Sequence, residues 1–165
     1  AKLKVDIRES IELNNNKYDS FNSYEVIAVN EISKRITTIP KTEQDLVAIS
    51  GSMGAGSFLT SDVRYMRFTN LDCTNYVSLF LVQNSPDSDS PNTGNVGSGD
   101  EGVFRIDPGE SMMFSNAQFD SSNYYDYVVE GYVDLQYFSQ FASLYSVKAK
   151  ANNADVRIEY LVGSS

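Results

Sequence analysis

Apolar and polar residues alternate along much of this chain with the two-residue period of a β-strand. Residues 2–8 put Leu3, Val5 and Ile7 on one side and Lys2, Lys4, Asp6 and Arg8 on the other, the pattern of a half-buried strand. Asn14, Asn15 and Asn16 break the alternation and predict a turn or loop. Strands are predicted next over 24–32 and 35–39, the second stopped by Pro40, which has no N–H for a ladder. Thr42, Glu43 and Asp45 suit the start of a single helical turn, but a strand over 45–50 is the preferred reading. Residues 63–82 read as strand, polar turn, strand, with Asn70 to Asn75 as the turn. Residues 103–114 read as another hairpin around Asp107-Pro108-Gly109-Glu110. There Pro fixes φ at one turn position and Gly permits positive φ at the next, which predicts a type II turn.

The last pair of apolar runs, 143–151 and 154–162, flanks Asn152-Asn153, a dipeptide suited to a two-residue type I′ turn. In that register Val147 faces Ile158 and Tyr145 faces Tyr160. Lys150 would oppose Asp155, which is favourable, but Lys148 would oppose Arg157, which is not. Either the loop is longer than two residues or the two charges meet an acidic neighbour. No segment of helical period and useful length occurs, and there is no internal repeat. The pattern predicts an all-β chain: a single antiparallel β-sandwich over residues 1–165, jelly-roll-like, with long polar surface loops near 83–102 and 116–127.

Composition sharpens this picture. A chain of 165 residues buries a core without staples, and its 11 Tyr and 9 Phe suit pleated, half-buried surfaces. The net charge of −9 argues against nucleic-acid binding through a basic surface. The basic residues sit near the two ends. Between Leu71 and Val147, Arg105 is the only one, against Asp72, Asp87, Asp89, Asp100, Glu101, Asp107, Glu110, Asp120, Asp126, Glu130 and Asp134. That asymmetry reads as a self-repelling soluble surface or as a charge-complementary contact between copies. The first residues lack the apolar core of a signal peptide, and no apolar run approaches a membrane span. Synthesis in a cytoplasm is the expectation, with no membrane partner.

Candidate chemistry is sparse. With no histidine, Ser-His-Asp and Cys-His nucleophile systems and His-based metal sites are excluded. Cys73 is the single cysteine, so neither a disulfide within the chain nor a cysteine-based zinc site can form. It reads as a small turn residue. Gly51 to Ser57 is glycine-rich but lacks the Lys-Ser/Thr of a phosphate loop. Asp87, Asp89, Asn92, Asp100 and Glu101 are oxygen donors without the calcium-loop spacing, and read as solvated loop charges. No carboxylate pair has a context that marks it for glycoside hydrolysis. The expectation is no catalytic, metal or cofactor-binding residue, and no enzyme. The candidate site residues are instead an interface set. Phe119, Tyr124, Tyr125 and Tyr127 are aromatics in a polar loop, which either meet a partner or pack on the parent sheet. Lys148, Lys150 and Arg157 would form a basic face on the last hairpin.

Several short runs resemble those of small tailed-bacteriophage virion proteins, of the kind found in marine phages. Arg67-Phe68-Thr69-Asn70 is followed by Asn75-Tyr76-Val77-Ser78-Leu79, and later by the Pro-Gly-Glu turn in Ile106-Asp107-Pro108-Gly109-Glu110-Ser111. Lys34 to Pro40 and Ala154 to Tyr160 are similar to the same group. The pattern covers most of the chain in short motifs and carries no catalytic residues. The resemblance implies a structural protein of the virion, assembled in the host cytoplasm, and first among such roles a capsid decoration (cement) protein. That protein would bind the outside of the shell, with the major capsid protein and copies of itself in a symmetric oligomer as partners. A tail, collar, fibre or head–tail connector component is the alternative. A carbohydrate- or receptor-binding lectin-like module is the alternative of another class.

Overall fold

The computed structural model describes residues 1–50, 56–59, 62–83, 101–115 and 144–165. Strands run through most of them: β1 (Lys2–Leu13), β2 (Asn16–Ile27), β3 (Glu31–Ile39), β4 (Gln44–Ser50), β5 (Ser57–Leu59), β6 (Val63–Asn70), β7 (Val77–Gln83), β8 (Glu101–Ile106), β9 (Ser111–Ser115), β10 (Leu144–Ala151) and β11 (Val156–Ser164). No helix occurs among the described residues. The strands form three sheets, none of them closed. One has the order β5-β4-β10-β7-β8, a second the order β3-β11-β6-β9, and among the described residues β1 and β2 pair only with each other. Every pairing is antiparallel except the short parallel contact of β5 with β4.

The all-β expectation is met, and the two larger sheets are arranged like a sandwich. Alternate residues of each strand enter one shared hydrophobic cluster. Ile39, Met66, Phe68 and Ile158 come from the four-stranded sheet, and Ile49, Leu79, Ile106 and Val147 from the five-stranded sheet. Of two edge-to-face ring contacts, one lies within a sheet and the other ties the layers together. Phe114 of β9 lies 6.4 Å from Phe68 in its own sheet and 6.0 Å from Phe104 of β8 in the other. Such geometry adds to the area term of aromatic burial. The strand over 45–50 is confirmed as β4, and residues 41–43 form no helical turn.

Three expected hairpins are inter-sheet connections instead. β6 and β7, β8 and β9, and β10 and β11 each have one member in either sheet. Val147 therefore pairs with Val47 and Leu81, not with Ile158. Ile158 pairs with Thr37 and Asn70. The turn chemistry itself is as expected at Pro108-Gly109. Gly109 has φ +77°, and Glu110 N donates to Asp107 O at 3.1 Å. Pro cannot take positive φ, so these are the marks of type II. At Asn152-Asn153 the expected type I′ turn does not form. Neither residue has positive φ, and the loop's donors go elsewhere. Ala151 N bonds Pro40 O at 2.9 Å and Asn152 N bonds Tyr76 O at 3.3 Å.

The type I′ turn is found at Asn14-Asn15, with φ of 52° and 61°. It closes a hairpin in which Leu13 pairs with Asn16 and Lys2 with Ile27. The expected strand over 24–32 is split. Ala28, with φ 59°, ends the hairpin, and β3 starts three residues later.

Candidate functional site

The hairpin is the feature that composition did not foreshadow. At about 3.4 Å per residue, its twelve-residue strands make a ribbon about 40 Å long. Its base is anchored. Val5, Val26 and Val29 join Tyr65 in a second buried cluster, flanked by Leu3, Ile7, Tyr24, Met113 and Leu161. This cluster lies on the outer face of the four-stranded sheet, because Tyr65 and Leu161 alternate with the core residues Met66, Phe68, Tyr160 and Val162. Backbone bonds complete the anchor: Val29 N to Ala1 O at 3.2 Å and Asn30 N to Ser164 O at 2.7 Å. Gly163 allows the close approach, since a Cβ there would lie 3.2 Å from Val29 Cγ1.

Beyond the base the ribbon stands clear of the sandwich, and every residue from Arg8 to Ser23 is exposed. The register gives it two unlike faces. One carries Leu3, Val5, Ile7, Glu9, Ile11 and Leu13 beside Asn16, Tyr18, Ser20, Asn22, Tyr24 and Val26. The other is charged and cross-linked. Lys2 reaches Glu25 at 2.7 Å, Lys17 reaches Asp19 at 3.2 Å, and Asp6 accepts from Ser23 at 2.7 Å. Ser23, and then Lys4, hold the Asp6 carboxyl below its ordinary pKa. On this face Arg8 lies 5.5 Å from the centre of the Phe21 ring. An open hollow of about 540 Å³ runs along the distal ribbon beside Arg8, Lys17, Asp19 and Phe21. The apolar face continues past the anchor, and Ile11, Leu13 and Tyr18 are each more than half exposed.

The expected basic face is dispersed by the fold. Lys148 lies on β10 and pairs with Glu43 at 3.0 Å, and Lys150 is an exposed neighbour on the same strand, opposite Ser78. Arg157 is exposed on β11 in the other sheet, opposite Thr38. The acidic neighbour anticipated for Lys148 is therefore present, and Arg157 is not beside it. Phe119, Tyr124, Tyr125 and Tyr127 lie outside the described residues, as do 84–100 and 116–143, which take in nearly all of the two polar loops. Cys73 is exposed, 3.5 Å from the Thr74 hydroxyl. Among the described residues no three acidic or cysteine side chains are placed to hold a metal. No described helix is long and apolar enough to cross a membrane.

The buried polar centre at Asn70 is structural. The Asn70 side chain donates to Asn75 O at 2.8 Å and Ile106 O at 3.1 Å, and accepts from Asp72 N at 2.9 Å. Asp72 in turn accepts from Thr74 N and Asn75 N, both at 2.7 Å. These groups fasten the turn that carries β6 into β7 across the sandwich.

These features define a class: an antiparallel β protein of two stacked sheets bearing a long, anchored, amphipathic ribbon. No family model matches the sequence, and neither a curated protein nor a solved structure matches it.

Proposed function

We propose that this chain is a structural subunit of a phage virion, and within that class a capsid decoration protein. The observation that carries the reading is the combination of a sandwich-like body with a ribbon whose distal apolar face has no cover among the described residues. Such a part serves attachment. The strand order supports a jelly roll. Setting aside β1, β2 and β5, eight strands remain, and the first pairs with the eighth, the second with the seventh, the third with the sixth and the fourth with the fifth. That is one long antiparallel ribbon rolled up, the arrangement used by viral capsid and lectin domains among others. Fold alone does not assign function. The resemblance of the Arg67 to Leu79 and Ile106 to Ser111 runs to phage virion proteins gives the reading its direction.

In this role the sandwich sits on the outside of the shell and its projections lie across seams between major capsid subunits. Contacts that are modest one by one gain avidity through symmetric repetition. Mass spectrometry of particles that carry the protein tests the location. A shell protein is present at on the order of hundreds of copies, whereas about 3 to 12 copies would assign it to a tail or connector. Particles lacking it should rupture at lower temperature or on osmotic shock, and particles of unchanged resistance would overturn the cement role. Saturable binding of the isolated chain on a glycan array, abolished by changing Tyr124 or Tyr125, would favour the lectin-like alternative.

A further inference from the structure

We infer that the distal half of the β1–β2 ribbon docks on a second copy of this chain, against the uncovered part of the outer face of its four-stranded sheet, at β3. The anchored half of the ribbon already shows the contact in one chain. Its apolar face covers Tyr65, Met113 and Leu161 of that sheet. The same face continues outward through Ile11, Leu13 and Tyr18, each more than half exposed and uncovered among the described residues. The sheet surface likewise continues to β3, where Ile32 and Ile36 are 54% and 56% exposed. Both lie on the outer side, since Ile39 of the same strand points into the core and side chains alternate. The ribbon of one chain does not reach its own β3, because Arg8 to Ser23 are exposed throughout.

Charge favours this pairing. On the apolar face of the distal ribbon the charged side chain is Glu9. The outer face of the four-stranded sheet carries Lys34, Arg67 and Arg157 against Glu159. Glu159 is shared by Lys34 at 3.0 Å and Arg67 at 2.6 Å, so positive charge is in excess there. An acidic apolar ribbon thus meets a basic apolar sheet. A ribbon-to-ribbon dimer would instead oppose Glu9 of each copy. An isolated two-stranded ribbon is also marginal in water, and docking supplies its missing cover.

Sedimentation of the full chain tests the contact, using Ile11→Ser/Tyr18→Ser as the ribbon variant and Ile36→Glu as the sheet variant. All three positions are exposed, and circular dichroism confirms that each variant folds. The wild-type chain should self-associate below about 100 µM, less tightly as salt rises. Each variant should weaken association at least about tenfold. An equimolar mixture should regain a heterologous contact, because the sheet variant still has a ribbon and the ribbon variant still has a sheet. A monomeric wild-type chain, or a mixture that fails to associate, would overturn the inference. Unchanged association of Ile36→Glu would also overturn it and point to ribbon-to-ribbon contact. The inference stands on the ribbon and the sheet alone, so a monomeric chain would leave its copy number in a particle unaffected.

Discussion

Replacing Asn70 tests whether the inter-sheet connections are held by specific polar bonds or by burial alone. Asn70 is fully buried, and its amide serves two carbonyls and one N–H drawn from the β6–β7 turn and the end of β8. Asn70→Ala removes three neutral bonds, each with a net worth of about 0.5–1.5 kcal/mol, and leaves Ile106 O without that partner in the interior, so a loss of about 3 kcal/mol is expected. For a domain of this size the thermal midpoint should fall by roughly 6–12 °C. Asn70→Asp sharpens the test. It keeps the acceptor for Asp72 N but turns a carboxylate oxygen toward two carbonyl oxygens. Burial and those oxygens raise its folded pKa above the unfolded value of about 3.9. Its cost is therefore smallest below that value and grows as pH rises through it. Urea unfolding followed by far-UV circular dichroism gives both numbers. Asn70→Asp should be at least as unstable as Asn70→Ala at pH 7 and should gain on it as pH falls from the raised folded pKa to about 4, with no further gain below that. An Asn70→Ala change within about 0.5 kcal/mol of wild type would refute the reasoning, as would an Asn70→Asp variant of wild-type stability at pH 7.

Ala28 holds φ 59° at an exposed position; relieving the left-handed strain with glycine, less glycine's entropy loss, should stabilise by about 0.5 kcal/mol, read as a small rise in thermal midpoint. A fall would mean that the methyl group matters to packing. The backbone N–H groups of Asn75 and then Thr74 hold Asp72 below its ordinary pKa of 3.8, so its contribution is present above that value and lost as pH falls through the lower folded pKa. Asp72→Ala should thus be less stable than wild type at pH 7, with the gap closing on acidification, and a gap independent of pH would exclude the carboxylate as the cause. Gly163→Ala puts a Cβ 3.2 Å from Val29 Cγ1, an overpacking cost of about 1 kcal/mol at the ribbon's anchor. Limited proteolysis between residues 28 and 31 should then quicken while cleavage within the sandwich does not, and equal rates would refute the anchoring role.

The sequence disclosed the strands more fully than their partners. The strands β6, β7, β10 and β11 were located closely, because alternate residues of each enter the core; a strand was also preferred for β4. The Pro108-Gly109 turn was legible because Pro and Gly leave one turn type open. β2 was missed from Asn16 to Ser23. Residues 16–23 are exposed on both faces, so no burial constrains which residues appear there, and Asn, Ser and Asp read as loop. The distal ribbon, which carries the proposed contact, was illegible for the same reason. Only its base, residues 2–8, was read from alternation; the distal pairing follows from the register and the two-residue turn at Asn14-Asn15.

Asn-Asn occurs at both 14–15 and 152–153 and ends differently, which shows what decides between a hairpin and a crossing. Around the first, Leu13 and Asn16 have no buried layer to fill, and the turn's own preference for positive φ prevails. Around the second, Ala151 and Val156 are both fully buried. A hairpin would set their strands side by side in one sheet. The crossing sets them in opposite sheets, where Val147, Ala149 and Ala151 meet the same core as Val156, Ile158 and Tyr160. It also separates Lys148 from Arg157, a like-charge pair that a hairpin would have forced together, and delivers Lys148 to Glu43. The electrostatic conflict in the simple hairpin register was thus the one local sign that the chain changes sheets. Burial on both flanks of a turn, joined to a charge clash across it, argues for a crossing even where the turn residues favour a hairpin.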